Sequence, residues 1–181
     1  MADDEITREE IHHRRIDMRA YRRSDGLYEL EGRVTDRKPF DFVPGGDGAV
    51  VPAEQAIHDM GVRFVYDDDL TIHDLTTFMD STPYPVCVGG GLALRGMIGQ
   101  RIGGGWAKEV RSRLGGAASC THLMELLIPV ATAAIQSLSP WRNKRPDRLD
   151  ANGRPLKIDS CFGYGATTDV VKRRWPAFYQ G

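Results

Sequence analysis

The stretch Leu27–Asp36, LYELEGRVTD, has the clearest two-residue alternation in the chain. Apolar or small residues share one of its faces, and these are Tyr28, Leu30, Gly32 and Val34. Charged or polar residues occupy the other face, namely Glu29, Glu31, Arg33 and Thr35. This period is typical of a strand with one buried face. We therefore predict a half-buried β-strand here, entered through a turn at Asp25–Gly26.

A second alternating segment covers residues 56–67, and we predict a second strand there. Its mixed face holds His58, Met60, Val62, Phe64 and Tyr66. The intervening residues 39–52 contain three prolines and three glycines with little periodicity. We expect a loop that either covers part of the molecule or only connects the two strands.

The clearest helix follows Cys120 and ends at Ser139–Pro140. Its apolar stripe consists of Leu123, Leu126, Leu127, Val130, Ala131, Ala134, Ile135 and Leu138. A shorter apolar pattern predicts a helix over Thr71–Met79. Apolar residues also recur every fourth position between Leu94 and Val110. Three glycines at 103–105 would cost about 3 kcal/mol inside one helix, so a kink or two helices are expected.

The C-terminal part is less regular. We predict a mobile loop over about 141–155, a last strand over Leu156–Cys161 and a further strand within Val170–Tyr179. Strands first, helices in the middle and a strand last favour the α+β class, with a mainly antiparallel sheet packed against a few helices. A length of 181 residues with 41% hydrophobic content fits a single domain over residues 1–181.

Composition restricts the partners. The formal net charge of −1 gives no overall reason to bind nucleic acid or an acidic membrane surface. No apolar run reaches the roughly 18 residues that span a bilayer. The opening residues Met1–Glu5 are acidic, whereas a signal peptide begins with basic residues. We expect a soluble cytoplasmic protein, with a homodimer compatible with its apolar content.

Cys87, Cys120 and Cys161 are an odd number of cysteines at wide spacings. A chain of this length does not need disulfides to stabilise its fold, so we predict free thiols in a reducing compartment. The pattern leaves the roles of Cys87 and Cys161 open.

The segment 8–23 reverses the local charge, since it contains six arginines together with His12 and His13. His12 and Arg14 are candidates for binding a carboxylate or a phenolate, because the guanidinium group presents a rigid fork of donors. The alternative is a solvated face whose arginines pair with nearby acidic residues.

The stretch 115–127, GGAASCTHLMELL, combines a glycine turn with a helix start. Helix starts carry unpaired N–H groups and partial positive charge, so reactive side chains are often found there. Cys120, His122 and Glu125 are metal-ligand types, but helical projection separates them, so no metal site is predicted. His122 and Glu125 are either an acid–base pair or a surface hydrogen bond.

His58 is the strongest candidate base. It lies on the mixed face of its predicted strand, where the alternative is a packed core histidine. Tyr28 has the same parity in the first strand, so both side chains are expected to line one pocket. The glycine runs at 89–91 and 103–105 lack the residues of a phosphate-binding loop, and close packing or a hinge explains them better.

These residues form an ordered series that resembles the bacterial DUF2889 family. The series is His12-His13-Arg14, Tyr21-x-Arg23-x-Asp25-Gly26-Leu27, Glu31-Gly32, Asp36-x-Lys38, His58-x-Met60, Cys87, Gly105-Trp106 and Cys120-x-His122-Leu123-x-Glu125-Leu126. The chain is also similar, more distantly, to bacterial enzymes that release formaldehyde from lignin-derived phenylcoumaran dimers to give a stilbene. This resemblance implies a carbon–carbon lyase that needs no cofactor and acts on a small aromatic substrate.

Such a reaction needs a base, an acid and a cation near the phenolate. On that hypothesis His58 is the base and Tyr28 or His122 is the acid. The anion is held by Arg14 with Arg23, and Cys120 lines the pocket with His12. Two alternatives are a non-catalytic module that binds a small aromatic acid or a protein partner, and a metal-dependent hydrolase or lyase.

Overall fold

The computed structural model describes residues 6–46 and 48–181, so the predictions that rest on Met1–Glu5 lie outside the described residues. The chain divides into two compact units, one that ends at Ser137 and one that covers Leu138–Gly181. The α+β class is confirmed, and a single domain over residues 1–181 stays a prediction. No helix in the described ranges is long and apolar enough to cross a membrane.

The first unit contains a four-stranded antiparallel sheet with the strand order β1-β2-β3-β4. The strands are β1 (His13–Arg22), β2 (Tyr28–Arg37), β3 (Ala56–Tyr66) and β4 (Ile72–Ser81). The two predicted strands correspond to β2 and β3, and the prediction of a mainly antiparallel sheet is confirmed. The arginine-rich segment forms β1, and Gly26 enables the following turn with a φ of 88°.

The prediction of a helix over Thr71–Met79 is wrong, because this segment forms β4. Ile72 and Leu75 are both buried, although three positions separate them. The pairing with β3 skips His73, since Tyr66 is opposite Ile72 and Val65 is opposite Asp74. The extra residue of this β-bulge returns Leu75 to the inner face. A bulged strand therefore has the three-residue spacing that is usually typical of a helix.

The helices of the first unit lie between β4 and Ser137, except for one 3-10 helix, Pro44–Gly46, in the loop between β2 and β3. They are α1 (Gly89–Leu92), α2 (Trp106–Leu114) and α3 (Thr121–Ser137), with 3-10 helices at Pro44–Gly46, Pro85–Val88, Ala93–Met97 and Gly116–Ala118. Of the two alternatives expected around the second glycine run, a kink or two helices, the structure has two helices. The 3-10 helix Ala93–Met97 ends before the run, and α2 begins after Gly105, which has a φ of 82°. The predicted core helix is α3, and Pro129 lies inside it.

Helix α3 packs against the inner face of the sheet, mainly against β2 and β3. The core between them is formed by Leu30, Val34, Met60, Val62, Phe64, Leu123, Leu127 and Val130. Gly32 permits the close approach, because a Cβ atom there would lie 2.4 Å from Cγ2 of Val130. At the C-terminal end of α3, the hydroxyl groups of Tyr66 and Ser137 are 2.7 Å apart.

The second unit is helical where strands were expected. It contains α4 (Ser139–Arg142), α5 (Asp169–Arg174) and 3-10 helices at Phe162–Tyr164 and Pro176–Phe178, around a core of Ile158, Ala166, Val171 and Trp175. The strands predicted over Leu156–Cys161 and Val170–Tyr179 are therefore wrong.

Local hydrogen bonds explain both differences. The N–H groups of Ile158 and Ser160 donate to carbonyls three residues earlier, which closes turns rather than a sheet ladder. The Thr168 hydroxyl accepts from the Val171 N–H and caps α5, a common helix start. Mobility of residues 141–155 stays a prediction.

Candidate functional site

A buried carboxylate lies at the centre of the candidate site. Asp36 is near the end of β2 and only 1% of its surface is exposed. The sheet register places Arg14 of β1 and His58 of β3 directly opposite Asp36 on its two sides. The Arg14 guanidinium donates two hydrogen bonds, from Nε to Oδ1 at 2.7 Å and from Nη2 to Oδ2 at 2.6 Å. This bidentate pairing compensates a buried charge that would otherwise be very unfavourable.

Two histidines complete the surroundings of this carboxylate. His58 Nδ1 lies 3.0 Å from Oδ2 of Asp36, and His12 Nε2 lies 3.2 Å from Oδ1. An ionised carboxylate only accepts hydrogen bonds, so Nδ1 of His58 carries the proton. The lone pair of a neutral His58 is therefore on Nε2. Asp36 thus determines both the tautomer and the orientation of the His58 ring.

A third histidine comes from α3. The ring centroid of His122 is 3.9 Å from that of His58, with an angle of 36° between the rings. His122 belongs to the first turn of α3, and the Cys120 N–H fixes the start of this helix by donating to the Gly90 carbonyl at 3.1 Å. A Cβ atom on Gly90 would lie 2.6 Å from the Cys120 nitrogen, so only glycine fits. Close backbone packing, one of the two expected roles for the first glycine run, is what the structure has at Gly90.

The site shifts the pKa values of its members in ways that favour a neutral imidazole pair. Burial lowers the pKa of His58, and the charge and hydrogen bond of Asp36 only partly offset this. Burial also lowers the pKa of His122, assisted by the charges of His58 and Arg14. Burial raises the pKa of Asp36, but the hydrogen bond and charge of Arg14, with the charges of His58 and His12, outweigh it and keep the pKa below its usual value.

The histidine pair opens onto a cavity of about 710 Å³. Its lining includes polar groups such as His58 and His122 and apolar side chains such as Phe42, Met60 and Val86. The loop between β2 and β3 contributes Phe42 and Pro44, so this loop covers the cavity rather than only connecting strands. Such a pocket, apolar with a few polar groups at one place, is typical of a small-molecule site.

Free thiols also face this cavity. Cys120 and Cys87 are among its lining residues, and the Cys120 Sγ lies 3.8 Å from the Met60 Sδ. The three cysteines of the chain are free. Cys120 therefore lines the same cavity as His58 and His122, and so does Cys87, whose role the sequence leaves open.

The structure does not bring Tyr28 and Arg23 to this site. Tyr28 is opposite Tyr66 in the register, eight residues along β2 from Asp36, or roughly 26 Å at 3.3 Å per residue. Its ring centroid is 5.8 Å from that of Tyr66. Arg23 pairs with Asp25 at 2.8 Å and with Glu29 at 3.1 Å. Parity within a strand specifies the face of a side chain, whereas its position along the sheet depends on register.

The structure also shows the partners of the β1 arginines and of Glu125, for which the sequence left alternatives open. Arg15 and Arg19 both pair with Asp17, so arginines of β1 are matched by carboxylates as expected of a solvated face. Glu125 forms an ion pair of 3.6 Å with Arg111. It also lines, with Arg14 and His122, a second cavity of about 240 Å³.

Asp36 is the member of the candidate site whose role is not predicted from the sequence. An acidic residue at the end of a strand is usually interpreted as the start of a turn. Its position in the two-residue alternation could have indicated that it is buried, since Asp36 continues the face formed by Leu30, Gly32 and Val34. Ligand atoms of Asp36, His58 and His122 also lie within 4.8 Å of one another, an arrangement with metal-binding potential.

Comparison with known proteins identifies one family. The family described as "Protein of unknown function (DUF2889)" matches residues 12–136, a range that contains every residue of the site described above. No curated protein and no solved structure gives a significant match.

Proposed function

Since the chain belongs to the DUF2889 family, whose description names no reaction, we propose a function that combines the chemistry of the site with the reaction implied by the more distant resemblance to formaldehyde-releasing enzymes. The cavity beside Asp36 and His58 is the active site of a carbon–carbon lyase. Its substrate is a small lignin-derived phenolic dimer of the phenylcoumaran type, cleaved without a redox cofactor to a stilbene and formaldehyde. The observation that supports this most directly is the 3.0 Å hydrogen bond between Asp36 and His58 at the cavity wall.

His58 is the general base of this proposal. Its Nδ1–H is held by Asp36, which leaves Nε2 to accept a proton from the substrate. Once protonated, the imidazolium is stabilised by the adjacent carboxylate, as in other His–Asp catalytic pairs. Burial lowers the pKa of His58, so the base is unprotonated at neutral pH. Arg14 and His12 act through Asp36 as positioning residues.

The proposed reaction needs no oxidant. His58 removes the phenol proton, and the electron pair of the phenolate then expels the aryl oxygen of the coumaran ring, which takes up a proton. His58 is neutral again once its first proton has passed through His122 to the aryl oxygen, so it takes the γ-hydroxyl proton of the resulting quinone methide, and the carbon–carbon bond to the hydroxymethyl group breaks. The electrons of this bond form the stilbene double bond and restore the aromatic ring, and formaldehyde leaves. The phenolate is reprotonated, so protons balance.

His122 is the proposed acid for the departing aryl oxygen. Its ring lies against that of His58, so a proton taken by one imidazole is close to the other. Phe42, Met60 and Val86 offer an apolar wall for the aromatic rings of the substrate. Tyr28 and Arg23 have no part in this proposal because they lie away from the cavity.

A panel of phenylcoumaran dimers tests the proposal, with formaldehyde and stilbene absorbance followed together. We expect both products from the purified protein, and a loss of about 100-fold or more in turnover for His58→Gln. His73→Gln is the matched control, since His73 pairs with Asp67 at 2.8 Å on the exposed surface and should retain activity.

Two results would contradict the proposed function. Folded wild-type protein that yields no formaldehyde across the panel removes the lyase reaction. If it still binds the dimers or small aromatic acids, the cavity belongs to a non-catalytic binding module. Full activity of folded His58→Gln removes the assigned base.

A further inference from the structure

Asp36, His58 and His122 come from three different elements, β2, β3 and α3, and the two histidines line the cavity while Asp36 is buried behind His58. One ligand atom of each lies within 4.8 Å of the others. Elsewhere in the described part of the chain, no such group of three His, Cys, Asp or Glu occurs. We propose that these three residues bind a divalent first-row transition-metal ion such as Zn²⁺. This inference goes beyond the lyase reaction and does not depend on it.

The spacing of two ligand atoms already fits one ion. His58 Nδ1 and Asp36 Oδ2 are 3.0 Å apart, the separation expected for two ligands at about 2.1 Å from a metal with an angle near 90°. The ion replaces the proton between these atoms, and the His58 proton moves to Nε2. His122 offers a third ligand nitrogen, which already lies within 4.8 Å of the ligand atoms of the other two residues. The remaining coordination position of the ion would face the cavity, which has room for a water molecule.

The ligand types select the class of metal. Two imidazoles and one carboxylate suit Zn²⁺, Co²⁺ and similar ions, whereas Mg²⁺ and Ca²⁺ prefer sites made of oxygen atoms. The partial burial of both histidines limits competition from solvent. His12 remains near the other carboxylate oxygen, Oδ1, at 3.2 Å.

Arg14 is the residue that limits the affinity. Its guanidinium donates to both oxygens of Asp36, so it opposes an incoming cation by charge and occupies the Oδ2 position that the ion needs. Removal of this guanidinium should therefore strengthen metal binding. A purely structural role of Arg14 would instead give an unchanged or weaker affinity.

Metal binding also has a consequence for catalysis, and this part rests on the proposed function. With the ion on Nδ1, the proton on Nε2 prevents His58 from accepting a substrate proton. Zinc is then an inhibitor of the lyase reaction, because it stabilises the His58 tautomer that cannot act as the base.

The test is calorimetric titration of the metal-free full chain with Zn²⁺, with the visible absorption of added Co²⁺ as a second probe. We expect one ion per chain and at least about tenfold weaker binding in His58→Gln and in His122→Gln. Arg14→Gln should bind more tightly than wild type. His73→Gln is the control and should bind like wild type, and thermal melts confirm that each variant is folded.

Three outcomes would overturn the proposal. These are no saturable binding at millimolar zinc, unchanged affinity in both folded histidine variants, or loss of binding in His73→Gln. An affinity that does not rise in folded Arg14→Gln would contradict the proposed competition between Arg14 and the ion for Asp36. None of these readouts uses turnover, so a failure of the lyase proposal leaves them interpretable.

Discussion

Oδ2 of Asp36 and Nδ1 of His58 lie 3.0 Å apart across the β2–β3 register, where the inner face of the sheet meets the cavity. Arg14 lies on the other side of Asp36 in the same row of the sheet. The antiparallel register thus lines up a cation, a carboxylate and an imidazole without any loop residue. Side chains held on strands are positioned more rigidly than those on loops, which suits a catalytic base.

Asp36→Asn should lower kcat by roughly 100-fold or more with a smaller change in KM, because the amide no longer holds the tautomer with a lone pair on Nε2. The measurement is steady-state formaldehyde release. Asp67→Asn is the control, since it alters an exposed His–Asp pair and should leave kcat unchanged. Equal losses in kcat for both variants would contradict a specific role of Asp36.

The activity should fall on the acid side of neutrality. Burial lowers the pKa of His58 below its usual 6.5, so more than half of the base is unprotonated at pH 6.5, and this fraction decreases as the pH falls through the lowered pKa. A profile of kcat/KM from pH 4 to 8, recorded on folded, chelator-treated protein, measures this limb. A midpoint above 6.5 would contradict the assignment of the limb to a buried His58.

Much of the fold was accessible from periodicity. The alternation in β2 and the stripe of α3 are predicted correctly because each element buries a single face, and this burial alone sets the period. The period fails in β4, where the bulge at His73 mimics helical spacing. It fails again in α5, because this helix is too short to show a helical period. Its start is set instead by the Thr168 cap.

The residue types of the sequence identify His58 and His122 as candidates, but their spacing does not predict that they meet. His58 and His122 are 64 positions apart in sequence, and their contact exists only because α3 packs across the sheet. Asp36 becomes recognisable as their partner once the register places it opposite His58. Parity alone instead pairs Tyr28 with His58, and the same register separates them along the strand.

Gly32→Ala should destabilise the first unit by about 1–3 kcal/mol, since the new Cβ atom would lie 2.4 Å from Cγ2 of Val130. Urea unfolding measures the change. The double variant with Val130→Ala removes the clashing methyl group and should be more stable than the sum of the single effects predicts. Strict additivity of the two substitutions would show that this contact does not limit the approach of α3.

Gly90→Ala tests whether the start of α3 sets the position of His122. The added Cβ atom would lie 2.6 Å from the Cys120 nitrogen and disturb the hydrogen bond to the Gly90 carbonyl, whereas a Cβ atom on Gly89 would meet nothing within 4 Å. A displacement of about 1 Å at a catalytic group lowers rates by roughly 100-fold. We therefore expect Gly90→Ala to lose turnover while it remains folded, and Gly89→Ala to retain it. If the two variants lose turnover equally, the helix start does not position His122, and the catalytic role of this histidine would have to rest on its contact with His58 alone.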